Sequence, residues 1–477
     1  VFTLGMPSPV KAVVSPPPHD TDEAAGPVDE APAQAERTAS TPRAPGEQIL
    51  ELPHQVKSAP RRLLAALGPG LITGASDDDP SGIATYSQAG AQFGYQLGWI
   101  MLFSWPLMCA IQEICARIGR VTGRGLGGNL HRHYPRWLVW SLVALLVFAN
   151  TINLGADMGA MGAALKLVVG GPALAYTAGF GVLSVLLEVF VRYSRYVPYL
   201  KWLTLSLFAY VGVAMVVGVP WKTVIVDLAV PRLSLSPGYL TVMVAILGTT
   251  ISPYLFFWQA EEEVEDLRER AGATALLSSP QDAPAEFRRI RWDTRIGMGL
   301  SNLVALFIIL TTAATLHAHG ITDIQTSSQA ALALEPIAGR FVFVVFALGI
   351  VGTGLLALPV LAGSAAYAAG EVLGWHVGLT RRLRRARLFY GAILAAMVVG
   401  GAINFIHIDP MKALFWSAVV NGVAAVPLMG LIMHLGNNRA AMGEFTMPPA
   451  LRNVGWAATA AMAAAAVGMF ATFDPNG

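Results

Sequence analysis

Beyond about residue 60 the chain alternates long apolar runs with short polar connections. A helix needs roughly 20 apolar residues to cross a bilayer, and eleven runs are long enough. They lie near 62–92, 96–117, 137–165, 173–192, 199–219, 238–268, 296–317, 340–371, 388–406, 411–435 and 453–473. The pattern predicts an all-α polytopic membrane protein over 59–477. Residues 1–58 differ: after the opening VFTLGM they are rich in Pro, Ala, Asp and Glu and poor in large apolar residues. No charged segment, apolar segment and cleavage site follow in order, so a disordered cytoplasmic tail is expected rather than a signal peptide.

Composition supports the membrane reading. The chain is 54% hydrophobic and 13% charged, against about 25% charged in soluble domains. Two cysteines, Cys109 and Cys115, both in one apolar run, exclude a disulfide framework or a cysteine-rich zinc site. No P-loop, HExxH or dinucleotide motif is present, and the histidines form no ligand pattern. Neither an enzyme, nor a cofactor, nor a nucleic-acid partner is expected; the bilayer is. Arginines crowd the even-numbered connections, as in Arg117–Arg136, Arg192–Lys201, Arg288–Arg295 and Arg381–Arg387. By the positive-inside rule the N-terminus is cytoplasmic and the C-terminus external.

Two spans are interrupted. Span one contains Asp77, Asp78 and Asp79 followed by Pro80, Ser81 and Gly82; span six contains GTTISPY, 248–254, with Pro253. Five spans separate the two, and an odd number per half gives inverted repeats, about 62–219 and 238–435. Broken helices at matching positions of inverted repeats point to a transporter's midplane site, because unwound backbone is tolerated there only where it is buried or lines a cavity. Aspartates at that depth are costly and default to function. Three in a row on a helix would spread over about 200°. If the stretch is unwound, Asp77 and Asp79 can point together and Asp78 away. Asp79, before the proline, is the expected ion ligand; Asp77 and Asp78 either line a vestibule or cap the half-helix that begins at Pro80.

Other polar residues fall within spans. Asp157, among small residues, is expected to face the bundle interior, while Glu188 and Arg192 read as a helix-end ion pair and Glu371 as solvated. In span six Thr249, Thr250 and Ser252 can bond carbonyls freed by Pro253. The run EEEVED, 261–266, reads as a solvated, salt-bridged helix end with Asp266 and Arg270 paired, or as a negative funnel for departing cations.

These segments resemble the natural resistance-associated macrophage protein (NRAMP) family of divalent-metal transporters. The likeness runs over about 60–435, through GPG at 68–70, Asp79, QAGAQFGY at 88–95, IGRVTGRGL at 118–126, the SPY of span six, Asn302 and Asn421. It implies a LeuT-type fold, a 5+5 inverted repeat with broken helices one and six plus an eleventh helix, in a prokaryotic inner membrane, functional as a monomer. Gly82 stands where the family has a metal-coordinating asparagine, and Ser252-Pro253-Tyr254 replaces Met-Pro-His. Asp157 stands where proton-coupled members carry glutamate. Loss of a soft thioether favours hard ions, and Mg²⁺ takes few direct carboxylates and keeps its waters. GASDDDPSGIATY and SPYLFFWQA resemble the NRAMP-related magnesium transporters, a branch carrying Mg²⁺ and Mn²⁺ without coupled protons. The expected site has Asp79 on the ion, backbone carbonyls near Ser76 and Thr249, Asp157 on the cavity wall, and then Thr250, Ser252, Tyr254 and Asn421. The competing expectation is a proton-coupled importer of Mn²⁺ or Fe²⁺.

Overall fold

The computed structural model describes Gly74 and residues 77–191, 205–270, 272–379, 381, 383–406 and 409–472. The tail, Ser76, Arg192 and most of the first half of span one lie outside the described residues. Each apolar run meets a helix: α1 (Pro80–Phe93), α2 (Trp99–Thr122), α4 (Arg136–Val169), α5 (Ala173–Phe190), α6 (Phe208–Val216), α8 with α9 (Pro237–Thr250 and Pro253–Glu269), α10 (Ala283–Thr315), α11 (Val342–Leu373), α12 (Arg387–Ile403), α13 (Pro410–Gly436) and α14 (Pro449–Thr472). Between them lie α3 (Leu126–His133) and α7 (Trp221–Ala229). Among the described residues eight helices are long and apolar enough to cross a membrane, nine if the bent pair at 205–229 is one span. There is no strand.

The span expected at 199–219 ends in a corner. The chain turns by 117° between Val216 and Trp221 into α7, with Gly218 at φ +45° and Pro220 before the new helix. These two residues end one helix and start the next at no cost in lost bonds.

The interior is built on long helices meeting through small residues. Helix α4 spans 34 residues, about 51 Å at 1.5 Å per residue, and packs along α11, α13 and α12. Helices α8 and α13 approach until a side chain at Gly248 would overlap the Ala418 carbonyl and Gly422. That contact sets the end of α8 directly against α13, where span six breaks. Outward-facing Trp137, Phe148, Phe190 and Leu388 are 60–74% exposed, as expected where the solvent is lipid.

Both cysteines are buried thiols. The acidic run 261–266 differs from the solvated end expected for it. Glu261 and Glu263 are buried, 1% and 0% exposed. Arg120 of α2 lies 2.7 Å from Asp266 and 2.7 Å from Glu286, Arg289 pairs with Glu263, and Asp266 also holds Arg270 at 2.8 Å. Arginines of α2 and α10 thus pair with Glu263 and Asp266 and tie α2, α9 and α10 together. Removing one partner of so buried a network is costly, because a charge is left unpaired. Glu371 is likewise engaged: it accepts the amides of Gly125 at 2.9 Å and Gly128 at 2.8 Å.

Candidate ion site

Pro80 lacks an amide hydrogen and occupies the first position of α1, where no intrahelical bond is owed. Asp79 precedes it with extended backbone, ψ 169°. Its Oδ1 accepts from the Gly82 amide at 2.8 Å and the Ser81 hydroxyl at 2.6 Å. This is a helix cap, and a carboxylate there faces the positive end of the helix dipole. Its Oδ2 accepts from the Asn153 amide of α4 at 2.9 Å and from the Tyr254 hydroxyl of α9 at 3.4 Å. One carboxylate, 1% exposed, therefore joins both broken spans to span three.

The other two aspartates turn elsewhere. The Ser301 hydroxyl of α10 lies 2.6 Å from Asp77 Oδ2 and 3.0 Å from Asp78 Oδ1. Asp77 thus pairs with Asp78 across Ser301 rather than pointing with Asp79, and the cap of α1 is Asp79. The reason is local: Asp77 keeps helical backbone, Asp78 lies in a bend, and only Asp79 is extended. A hydroxyl carries one proton, so Ser301 can satisfy one of the two carboxylates at a time.

Asp157 lies one turn beyond Asn153 on α4 and is fully buried. Neither of its carboxylate oxygens makes a close hydrogen bond among the described residues, and the Ser81 backbone amide and the Asp79 carboxylate both act on it. The Asp77 Oδ1 oxygen likewise makes no close hydrogen bond among them, nor does either amide atom of Asn421 on α13. Ser417, one turn before Asn421, donates to Asn153 Oδ1 at 2.6 Å. Since α4 and α13 run oppositely in an eleven-span topology, Asp157 and Asn421 lie to opposite sides of that bond, each by about 6 Å along its helix.

At the second break the hydroxyls serve the backbone. Thr250 donates to the Ile246 carbonyl at 3.0 Å, and Ser252 lies 2.7 Å from the Gly248 carbonyl and 2.6 Å from that of Thr249. The Gly248 and Thr249 carbonyls are left over where α8 stops. Thr249 instead meets the Tyr86 hydroxyl of α1 at 2.6 Å. Gly82 faces this junction. A Cβ there would come within 3.2 Å of the Tyr86 ring, 3.5 Å of Thr249 Oγ1 and 3.6 Å of Asp79 Oδ1.

The structure therefore gathers Asp79, Gly82, Tyr254, Thr249 and Asp157 with Asn153, Ser81, Tyr86 and Ser417, which sequence reasoning left out of the site. Asn153 carried a usable signal, four residues before Asp157 and so on the same helix face. Ser301 had none, and its neighbour Asn302 turns away to the Met101 carbonyl. Among the described residues no three His, Cys, Asp or Glu side chains converge as a ready-made metal cage. An ion here would draw on Asp79 plus hydroxyl, amide, carbonyl and water oxygens.

A family profile described as natural resistance-associated macrophage protein-like matches residues 70–472. The divalent metal cation transporter MntH of Klebsiella pneumoniae is 27% identical over 421 residues, 85% of this chain and 93% of its own. A solved manganese transporter of Eremococcus coleocola superposes with a TM-score of 0.70 at 18% identity, over 90% of this chain and 91% of its own. Mhp1, a nucleobase-cation-symport-1 family transporter in a closed conformation, gives 0.54 at 11% identity, over 85% and 92%. These likenesses show the fold: a LeuT-type 5+5 inverted repeat with broken helices one and six and an eleventh span.

Proposed function

The chain belongs to the natural resistance-associated macrophage protein-like family, and from that premise we propose that it carries divalent metal cations, as a transporter rather than an enzyme. The finer reading is uptake of partly hydrated Mg²⁺, and of Mn²⁺, by uncoupled alternating access, as in the magnesium-transporting branch. The N-terminus is then cytoplasmic and the membrane a prokaryotic inner one.

One observation carries the preference for a hard ion. Among the described residues, every hydrogen-bond partner of the Asp77–Asp79 carboxylates is a hydroxyl or an amide, from Ser81, Gly82, Asn153, Tyr254 and Ser301. Ser252, which stands where the family has its thioether, spends its hydroxyl on the Gly248 and Thr249 carbonyls. A site of oxygens suits Mg²⁺ and Mn²⁺ and offers nothing special to softer ions. Gly82 puts no side chain toward Asp79 Oδ1, Thr249 or Tyr86, so none competes there with the waters that Mg²⁺ gives up reluctantly. Asp157 and the Oδ1 oxygen of Asp77, buried without a close side-chain donor among the described residues, need a cation, a proton or water to offset their burial. Uncoupled influx suffices energetically, since 100 mV contributes about 4.6 kcal/mol to a divalent ion.

The test is reconstitution in liposomes, following Mg²⁺ and Mn²⁺ influx beside a lumenal pH dye. Both metals should enter without acidification. Metal-dependent acidification would establish the proton-coupled reading instead, and Mn²⁺ influx without Mg²⁺ would overturn the substrate.

A further inference from the structure

A second charged region lies away from the broken helices. A groove of about 570 Å³ runs between α2, the start of α10 and the start of α14. Its two ends differ in chemistry. At one end stand Arg117, Arg291 and Arg295 around the single carboxylate of Glu113; the wall toward the other end is apolar, with Trp105 of α2 and Val454 of α14.

Arg117, buried, gives its Nε and Nη2 to Glu113 Oε1 at 3.0 and 2.7 Å. Arg291 reaches the same oxygen only at 3.6 Å, with its side chain 43% exposed. Arg295 is exposed and lies 6.0 Å over the Trp292 ring. Three guanidiniums line this end of the cleft against one carboxylate, and the exposed Trp292 stands beside them. Tryptophans at such positions mark the boundary between headgroups and hydrocarbon. Helix α2 runs toward the arginine end while α10 and α14 begin there, so the polar end is one membrane interface. From Arg117 back to Trp105 is twelve residues, about 18 Å of apolar wall.

We propose that this groove binds one anionic phospholipid. Its phosphate lies among Arg117, Arg291 and Arg295, and an acyl chain lies along Trp105 and Val454 toward the bilayer centre. Basic pockets between transmembrane helices at a positively flanked face suit such headgroups, and guanidinium forks match phosphate oxygens. A soluble phosphate would use only the arginine end and leave the apolar wall uncovered. The bound lipid bridges α2, α10 and α14, and α10 carries Ser301. The proposal stands apart from the transport reading.

The experiment is native mass spectrometry of the full-length protein exchanged into detergent with equal phosphatidylglycerol and phosphatidylcholine. Retention of one phosphatidylglycerol in preference to phosphatidylcholine is expected. It should fall about tenfold in the Arg291→Ala/Arg295→Ala double variant, whose side chains are exposed and whose loss spares the Arg117–Glu113 pair. A control pair, Arg384→Ala/Arg385→Ala, should keep the preference. Equal retention of both lipids, an unchanged preference in the first variant, or its equal loss in the control would each overturn the proposal. Displacement of the lipid by millimolar glycerol phosphate would assign the arginines to a free phosphate and overturn it too.

Discussion

The two helix breaks share a design and differ in use. Each starts a new half-helix with proline at the first position, Pro80 in α1 and Pro253 in α9. At the first break the residue before proline is Asp79, whose side chain caps the new helix and gathers donors from α4 and α9. At the second it is Ser252, which makes no such cap and folds back on the carbonyls behind it. The first break presents charge to its surroundings, and the second seals its own backbone. Proline starts the new half-helix at both breaks; the side chain before it decides whether the break becomes a site.

That contrast can be broken. Asp79→Asn should abolish metal influx while the protein remains folded, since asparagine caps a helix as well as aspartate; liposome flux and a thermal melt check both halves. Gly82→Asn should lower Mg²⁺ influx about tenfold relative to Mn²⁺. Its Cβ would crowd Tyr86 and the space beside Asp79, displacing the ligand water that Mg²⁺ retains. Competition between the two ions in the same liposomes measures this, and a preserved ratio would separate Gly82 from ion choice. Asn153→Ala removes the 2.9 Å donor from Asp79 Oδ2, leaving it the longer Tyr254 contact, and leaves the Ser417 hydroxyl only the Leu414 carbonyl. A loss of about 1–2 kcal/mol should appear as a weaker apparent metal affinity, roughly 5- to 30-fold, in a concentration series. Ser252→Ala should be mildest: about 1 kcal/mol of stability, seen as a lower melting temperature, with influx within about twofold. If it stopped influx as Asp79→Asn does, the division between the two breaks would fail.

Much of the architecture was legible because bilayer crossing imposes a length and an apolar composition that any reader can count. The eleven runs, the two breaks and the pairing of Asp266 with Arg270 follow from local rules. The bend after Val216 escaped because Gly218 and Pro220 lie inside a run that stays apolar through it. EEEVED looked solvated because its neutralising partners, Arg120 and Arg289, come from α2 and α10, far along the chain. The direction of each aspartate was illegible for a similar reason. Asp77, Asp78 and Asp79 are chemically identical, and Ser301, Asn153 and Tyr254 divide them only after the helices pack.

The sequence by itself therefore determined where the chain crosses the membrane, where it breaks and which residue types stand at the breaks. Periodicity, proline and charge act within a few residues, and such effects can be read along a line. Which carboxylate caps, which shares a serine and which makes no close hydrogen bond was decided by tertiary structure, because a hydrogen bond between spans depends on which faces meet.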